Sequence, residues 1–531
     1  MRFKPWATVR FPLIIFFSTE VEADWLGDMN KKALLILLFL SFWQGFAFSQ
    51  KPSVIFILTD DQGYGDVNAH GHPYLKTPHT NRLREESVSF DNFYVSPSCS
   101  PTRAALLTGM HEFRNGVTHT IVPRQELHKD AVLLPQLLKT AGYKTGFIGK
   151  WHLGHKPGPE KRGFDWCSTN ARGPLDHFDA LFIRNRKRME TKGYREDVFF
   201  DEAMTFIEEC KSQPFFCYLA TYSPHTPLAA PEKFIQPFRD AGLNDTHATY
   251  LAMVENIDHN LGRLMSFLKK TGRDENTIVI MVNDNGVTEG LDVYNAKMRG
   301  PKCSAWEGGT RAFSFWRWPR KWKPKVLGNL TAHLDVLPTL CDLTGAQIPA
   351  KLKDKLEGFS LRALLESEKP IEWHSDRILY HHVARWPSGL AKSHKYAMAG
   401  VRQSNHLMLR SHDCATPECM KYMSQCQALR IIARGGKNMT YAYGTAQYHW
   451  GVSPKGHWVL YDVKKDPGCR NDLSKAKPEL ISKLARAYDQ WWDKTYPEMI
   501  AAGGDLGDPD QGRKAARRDK DWKGPKSDKK K

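Results

Sequence analysis

The stretch SVIFILTDDQG, Ser53 to Gly63, joins an apolar run directly to a pair of acidic side chains. The run from Ser53 to Leu58 is short, continuous and β-branched, which is typical of a strand buried on both faces of a parallel sheet. Asp60 and Asp61 stand where that strand ends. The pattern predicts a buried strand whose carboxyl end carries polar groups.

Three other segments repeat this arrangement. They are Tyr143 to Ile148 before Lys150 and His152, Pro214 to Ala220 before His225, and Thr277 to Val282 before Asp284 and Asn285. Helical patterns lie between them, at Thr80 to Ser87, Leu133 to Ala141, Val198 to Lys211 and Tyr250 to Lys270. This alternation predicts an α/β fold with a large, mainly parallel or mixed sheet flanked by helices. Since ligands of such sheets bind beyond the carboxyl ends of the strands, the four polar clusters indicate one active crevice.

The acids at two of these strand ends form a set of hard oxygen ligands. Asp60, Asp61 and Asp284 would repel one another if they converged without a cation, and Asn285 adds an amide oxygen. Oxygen-only ligands favour Ca²⁺ or Mg²⁺ over Zn²⁺. For Asp60 and Asp61 taken alone, a solvated turn is the alternative interpretation.

Four basic or proton-transferring residues accompany the acids: Lys150, His152, His225 and Lys302. A single histidine is more often a packing residue. Two histidines and two lysines beside metal ligands instead indicate an oxyanion site with acid and base groups. This set suits a sulfate or phosphate ester.

Cys99 lies in SPSCSPTRAALLTG, Ser96 to Gly109, just ahead of a helix predicted over Arg103 to Leu107. The helix N-terminus and Arg103 both favour an anion there, which would suit a thiolate nucleophile. A thiolate is nevertheless a soft group, poorly matched to a hard cation and an oxyanion.

Two long stretches resemble the sequence patterns of the type I sulfatases, the formylglycine-dependent, arylsulfatase-like enzymes of the alkaline phosphatase superfamily. They are Pro97 to Arg103 continuing to Leu106–Gly109, and Gly142 to His152. Further segments similar to the family are Asp60 to Gly63, Asp284 to Gly286, Arg299 to Lys302, Trp306 to Gly309, Leu334 to Leu340, Leu460 to Asp462, and Asp466 with Pro467. The resemblance extends from Pro52 to Ser474, most of the mature chain.

The resemblance implies that Cys99 is not used as a thiol. A formylglycine-generating enzyme would read Cys99-x-Pro101-x-Arg103 and oxidise the cysteine to formylglycine (3-oxoalanine). One hydroxyl of the hydrated aldehyde would attack sulfur, and the other would then expel sulfate by re-forming the aldehyde.

The same resemblance assigns the other roles. The cofactor would be Ca²⁺, with Mg²⁺ less expected, bound by Asp60, Asp61, the modified Cys99, Asp284 and Asn285. Lys150 would hold the sulfate, His152 and Arg103 would orient the hydrate, and His225 with Lys302 would serve the leaving group. Three positions depart from the common pattern, namely Asn283, Pro301 and the pair Ala312–Phe313. None of them removes a catalytic group.

The expected activity is hydrolysis of an aryl or carbohydrate sulfate ester, with release of inorganic sulfate. One alternative is a phosphate or phosphonate ester hydrolase of the same superfamily. Another is a catalytically inactive carbohydrate-binding surface protein, against which the complete set of catalytic residue types argues. The segments Trp166 to Tyr194 and Ala384 to Lys395 are expected to be loops that decide the substrate.

The chain has 531 residues, of which 41% are hydrophobic and 25% charged, as is ordinary for a globular protein. We predict a catalytic domain over residues 50–370, an α+β domain with a short antiparallel sheet over 371–500, and a basic disordered tail over 501–531. Strands of the second domain are expected at Tyr380 to His382, Tyr396 to Val401, His406 to Arg410 and Trp458 to Val463, before a helix at Lys477 to Thr495. The formal net charge of +18 comes with no nucleic-acid recognition motif, so no nucleic-acid partner is expected.

Met29 begins a basic and then apolar segment that ends in a small-residue cleavage site at Ala47 to Ser49. This predicts a signal peptide over residues 29–49, preceded by a misassigned start over 1–28, and a secreted or periplasmic mature protein without stable membrane insertion. A membrane anchor is the alternative. Export predicts that some of the ten cysteines pair, and the candidates are Cys414, Cys419 and Cys426.

Overall fold

The computed structural model describes residues 51–506 except 155–156, 387 and 411–456. The predicted signal peptide, the three candidate disulfide cysteines and residues 507–531 of the predicted tail lie outside the described residues. None of the helices within the described part of the chain is long and apolar enough to cross a membrane.

The strands and α-helices are numbered in chain order. The strands are β1 Ser53–Thr59, β2 Val88–Phe90, β3 Phe93–Tyr94, β4 Lys144–Gly149, β5 Trp166–Asn170, β6 Leu181–Arg184, β7 Lys187–Glu190, β8 Phe215–Ala220, β9 Thr277–Asn283, β10 Arg311–Ala312, β11 Ser314–Arg317, β12 Lys325–Leu327, β13 Thr331–Ala332, β14 Ile378–His382, β15 Ala399–Gln403, β16 His406–Arg410 and β17 Val459–Asp462. The α-helices are α1 Pro78–Glu85, α2 Cys99–Thr108, α3 Leu134–Thr140, α4 Arg195–Glu209, α5 Glu232–Asp240, α6 Asp245–Lys270, α7 Glu307–Thr310, α8 Val336–Thr344, α9 Ala350–Lys353, α10 Arg362–Glu366 and α11 Pro478–Ala501.

A ten-stranded mixed sheet organises the described chain, in the order β12-β2-β11-β9-β1-β8-β4-β5-β6-β7. Its centre is five adjacent parallel strands, β9, β1, β8, β4 and β5. Four of these are the strands expected from the apolar runs. The predicted fold class is confirmed, because a large mixed sheet carries helices and a smaller antiparallel sheet follows it.

Successive side chains of β1 enter different cores on the two faces of the sheet, as the two-residue period of a strand requires. Val54 and Phe56 pack with leucines of α2, α3 and α8. Ile55 and Ile57 pack with aromatic and aliphatic side chains of α4 and α6. Burial on both faces explains why the strand is apolar throughout and why polar residues begin only where it ends.

Helix α2 differs from the prediction because it begins at Cys99, so the cysteine is its first helical residue rather than a residue ahead of it. Pro101 is compatible with the first turn, where a backbone N–H would have no intrahelical acceptor.

The segment from Trp166 to Tyr194 is also corrected. It was expected to be a loop, but it contains β5, β6 and β7 at one edge of the large sheet.

The smaller antiparallel sheet has the order β14-β15-β16-β17 and packs against α11 through an aromatic cluster that includes Tyr488, Trp491 and Trp492. The strand expected at Tyr396 to Val401 begins later, at Ala399, because its extent is set by pairing with β14 and β16. Helix α11 continues to Ala501, beyond its predicted end. Asp505 then accepts a hydrogen bond from the Trp386 indole, so the ordered chain reaches into the segment predicted to be a tail.

Candidate active site

The carboxyl ends of four neighbouring parallel strands bring the predicted site residues to one edge of the large sheet. We call this group the crevice; it comprises Asp60 and Asp61 after β1, Lys150 and His152 after β4, His225 after β8, Asp284 and Asn285 after β9, Cys99 and Arg103 on α2, and Lys302 ahead of α7. Gly149 permits the strands to approach there. A Cβ at this glycine would lie 1.8 Å from the Ala220 carbonyl oxygen, and its φ is +103°.

The acidic side of the crevice surrounds Cys99. The Cys99 Sγ and carboxylate oxygens of Asp60 and Asp284 all lie within 4.8 Å of one another, and the same holds for Cys99, Asp61 and His225. The Asn285 amide donates to Asp61 Oδ1 over 3.0 Å. All of these residues except His225 are almost fully buried.

Three cations lie against these acids. Lys150 Nζ is 2.5 Å from Asp60 Oδ2, and Lys302 Nζ is 2.5 Å from Asp61 Oδ1. Arg103 donates to Asp284 Oδ2 over 2.9 Å and to the Lys150 carbonyl over 2.8 Å. Arg103 therefore links the end of β4, at Lys150, to the end of β9, at Asp284, and it also lies 3.6 Å from Asp60 Oδ1, rather than serving only as a positive charge beside Cys99.

The acids differ in how readily they ionise. Burial would raise the pKa of Asp60, but Lys150, His225 and Arg103 together hold that pKa well below its usual range. Burial and the nearby Asp60 instead raise the pKa of Asp284 to about 8. Asp284 is thus the acid of the crevice whose charged form is least favoured, as expected where three buried carboxylates converge.

The donor set fits a hard divalent cation, and two orphaned atoms support this. Asp60 Oδ1 and Asn285 Oδ1 are buried acceptors without a hydrogen-bond partner. Buried polar atoms are nearly always hydrogen-bonded, and Arg103 approaches Asp60 Oδ1 only to 3.6 Å, so these two oxygens among carboxylates fit a further positive group. Oxygen donors of this kind match Ca²⁺ or Mg²⁺.

Cys99 is unsuited to act as a thiolate. Only 1% of the residue is exposed, and burial raises the pKa of its thiol to about 11 despite Lys150 and Lys302 nearby. The unmodified side chain is consequently a neutral thiol near pH 7, although it lies at a helix N-terminus. The position at a helix N-terminus therefore does not make Cys99 a thiolate nucleophile.

The two histidines present different ring atoms. His152 has a φ of +57° and places Nε2 3.0 Å from the Thr120 carbonyl, so Nε2 carries the proton and the buried Nδ1 keeps an unpaired lone pair. His225 directs Nδ1 to the Thr226 carbonyl and Nε2 toward Asp61 Oδ2, 3.7 Å away. Burial lowers the pKa of both histidines.

Several supporting residues were not predicted from sequence. The Thr102 hydroxyl donates to the Asp284 carbonyl over 2.7 Å, and the Tyr250 hydroxyl donates to the Asp61 carbonyl over 2.9 Å. Asn283, one of the departures from the family pattern, donates to the Asn285 carbonyl and accepts from the Phe313 amide, so it fixes the second acidic loop. Thr102 and Asn283 adjoin motif residues, whereas Tyr250 had no signal beyond the pattern of its helix.

The family model for sulfatases matches residues 52–346, more than half of the chain. The chain belongs to the sulfatase family. The predicted resemblance to type I sulfatases is therefore confirmed, and the protein is a sulfatase enzyme.

Curated sulfatases agree with this assignment. Arylsulfatase J of Mus musculus is 29% identical over 481 residues, which are 84% of this chain and 77% of that protein. N-acetylgalactosamine-6-sulfatase of Homo sapiens is 32% identical over 338 residues, 57% of this chain and 63% of that protein. Among solved structures, Ps i-CgsB in complex with k-i-k-neocarrahexaose is 26% identical with a TM-score of 0.71, covering 90% of this chain and all of that one (100%).

Proposed function

We propose that this sulfatase releases inorganic sulfate from a sulfated carbohydrate, with formylglycine at position 99 and Ca²⁺ at the acidic side of the crevice. The observation that carries the proposal is the position of residue 99. It lies among three buried carboxylates, with His225, Lys150 and Lys302 nearby, although burial makes its own thiol inert. Aryl sulfates would serve as model substrates.

Asp60, Asp61, Asp284 and Asn285 are the residues that would hold the cation, together with the modified residue 99. A divalent cation there would neutralise the carboxylates and withdraw charge from sulfate oxygens. Formylglycine would supply, as its hydrate, a hydroxyl nucleophile and a second hydroxyl that allows sulfate to leave.

Lys150 and Lys302 have the charge and position to bind sulfate oxygens. Both side chains lie against acids of the crevice, and their pKa values are raised by those acids despite burial, so both remain protonated. Fixed positive groups that face developing negative charge lower the barrier without reorganising during the reaction.

The histidines divide the proton transfers. The unpaired Nδ1 of His152 would accept a proton from a hydroxyl at residue 99, because Thr120 keeps the proton on Nε2. His225 would protonate the oxygen of the departing alcohol through Nε2 when its ring carries both protons, a form that the nearby Asp61 favours against the effect of burial. Arg103 would hold Asp284 in place, a positioning role, through its 2.9 Å hydrogen bond.

The carbohydrate class is supported by the relatives. One is an N-acetylgalactosamine-6-sulfatase, and the structure similar at 26% identity contains a neocarrahexaose. The predicted signal peptide and the maturation enzyme belong to the same proposal, since a sulfatase of this kind would be modified before it acts outside the cell.

The test is sulfate release from a panel of sulfated sugars and aryl sulfates, with matched phosphate esters as controls. Mass spectrometry of residue 99 and elemental analysis accompany the assay. We expect sulfate release by protein that carries formylglycine and one calcium per chain. Phosphate release exceeding sulfate release, or full activity with an unmodified cysteine, would contradict the proposal.

A further inference from the structure

A buried arginine lies beside the crevice but outside the set of predicted site residues. Arg385 follows β14, has a φ of +59° and is 9% exposed. Its NH2 donates to the Thr120 hydroxyl over 2.8 Å, and its backbone N–H donates to the Thr118 carbonyl over 3.4 Å. These two hydrogen bonds join the segment that follows β14 to the loop of residues 118–125.

That loop also holds a crevice residue. The Thr120 carbonyl is the acceptor that fixes His152, so one residue contacts both the Arg385 guanidinium and the His152 ring. Arg385 is therefore separated from the proposed proton acceptor by a single intervening residue.

The Arg385 guanidinium lacks a carboxylate counterpart. Within the described residues, no acid lies within 4.0 Å of it, and its buried Nε has no hydrogen-bond partner. Asp505 on the neighbouring segment is already bound by the Trp386 indole and the Gly389 and Ala391 amides. A buried charge that faces no opposite charge is costly, which favours an anion supplied from outside the chain.

His119 supplies a neutral hydrogen-bond donor near Arg385. Its Nδ1 accepts from the Thr120 amide over 2.7 Å, which leaves the proton on Nε2. Burial and the cations Arg124 and Arg385 hold the pKa of His119 well below its usual range, so the ring stays neutral. At the tip of the same loop, Ile121 and Val122 are 50% and 58% exposed and offer apolar surface for a sugar ring.

We propose that Arg385, assisted by His119, binds a second oxyanion of the substrate, either another sulfate ester or a carboxylate, next to the sulfate that is cleaved. This inference rests on the proposed function and specifies its substrate as doubly anionic. The planar fork of a guanidinium recognises both groups by paired hydrogen bonds, so the shared chemistry is that of a planar or tetrahedral oxyanion.

The experiment compares matched substrate pairs. Each pair is a monosulfated sugar or aryl ester and its analogue with one further sulfate or one further carboxylate, and kcat/KM is measured for wild type, Arg385→Gln and Lys187→Gln. The control removes an exposed positive charge from β7, in the hairpin at the edge of the large sheet.

We expect wild type to prefer doubly anionic substrates by about tenfold, and Arg385→Gln to lose about tenfold on them, mainly through KM, with less than about twofold change on the monosulfated partners. Comparing the sulfate and carboxylate analogues identifies the oxyanion. The wild-type preference tests the inference even if the variant fails to fold.

Three results would overturn the inference alone, and the first two are no wild-type preference within any cleaved pair and equal losses on both members of a pair in Arg385→Gln. An equal effect of Lys187→Gln would attribute the preference to general charge and also overturn it. Failure of formylglycine-bearing wild type to release sulfate from any substrate would instead overturn the proposed function, and this inference with it.

Discussion

Asp60 lies in the crevice, and Asp335 pairs with Arg377 just ahead of β14. Both are carboxylates with 0% exposure, yet their surroundings are opposite. Asp335 accepts four hydrogen bonds of 2.7 to 2.8 Å, two from Arg377 and two from backbone amides. Asp60 receives Lys150 on one oxygen and has no hydrogen-bond partner on the other.

The comparison distinguishes buried acids that stabilise the fold from buried acids that are arranged to bind a ligand. A buried acid whose lone pairs are filled by its own chain needs nothing further. In the crevice Asp60 keeps one oxygen without a hydrogen bond, and Arg103 approaches that oxygen only to 3.6 Å. The pKa of Asp284 is raised to about 8 by burial and by Asp60. Between these two acids, the oxygen without a hydrogen bond, rather than buried charge as such, therefore distinguishes the crevice from the structural ion pair.

The largest effect is expected from Asp284→Asn. Removing one carboxylate from the crevice should abolish tight cation binding and lower kcat/KM by about 1,000-fold, since a catalytic metal supplies several kcal/mol to the transition state. Folding should be affected less than by the loss of Asp335, because burial already disfavours the ionised form of Asp284 and Arg103 keeps a second carboxylate, Asp60, at 3.6 Å. Elemental analysis and sulfate-release kinetics measure both parts. Unchanged calcium content would contradict the assignment.

The next largest effect is expected at Asp335, whose carboxylate accepts four hydrogen bonds. Asp335→Asn breaks a fully buried pair and leaves Arg377 without its carboxylate, so the free energy of unfolding should fall by about 3 kcal/mol. Activity per folded molecule should stay within about twofold of wild type. Denaturant unfolding checks this, with Asp342→Asn at an exposed pair as the control expected to cost less than about 0.5 kcal/mol. A catalytic loss as large as that of Asp284→Asn would contradict the distinction between Asp335 and the acids of the crevice.

Metal removal should produce an effect of similar size in the crevice alone. Adding Ca²⁺ at about 100 times its dissociation constant to metal-stripped wild type should raise stability by about 2.7 kcal/mol, seen as a higher Tm. Asp284→Asn should show no such shift, while Asp335→Asn should show all of it. An equal Ca²⁺ response in Asp284→Asn would place the cation elsewhere.

The smallest effect is expected from Tyr94→Phe. The Tyr94 hydroxyl donates to Glu307 Oε1 over 3.0 Å, but Glu307 also pairs with Arg402 at 2.5 Å and so keeps a partner. Stability should fall by about 1 kcal/mol and activity should not change. Thermal unfolding with parallel kinetics measures both, and a drop in kcat would contradict a purely structural role for this hydrogen bond.

The central strands could be predicted because burial on both faces leaves an unbroken apolar run with polar residues at its end. β9, β1, β8 and β4 all have this form, and their adjacency places the site residues at one edge. Short strands such as β3 and β10, of two residues each, have no periodicity to detect. Their pairing partners, rather than their own sequence, decide that they are strands.

The site could be predicted as far as its motifs reach. Its second layer could not, because the contact between Arg385 and Thr120 joins positions 265 residues apart. The tautomer of His152 likewise depends on a carbonyl 32 residues away. Neither relation leaves a local pattern in the chain, so only the folded structure discloses which buried groups are unsatisfied.

The central claim, that residue 99 acts as formylglycine, is tested most directly by Cys99→Ser. Serine keeps one hydroxyl at the same place, with Lys150 and the carboxylates of the crevice unchanged, but it lacks the second hydroxyl that would expel sulfate. We predict at most one turnover per molecule and a sulfo group retained on the peptide from Ser96 to Arg103, detected by mass spectrometry after exposure to substrate. Turnover near the wild-type rate without that adduct would contradict the account.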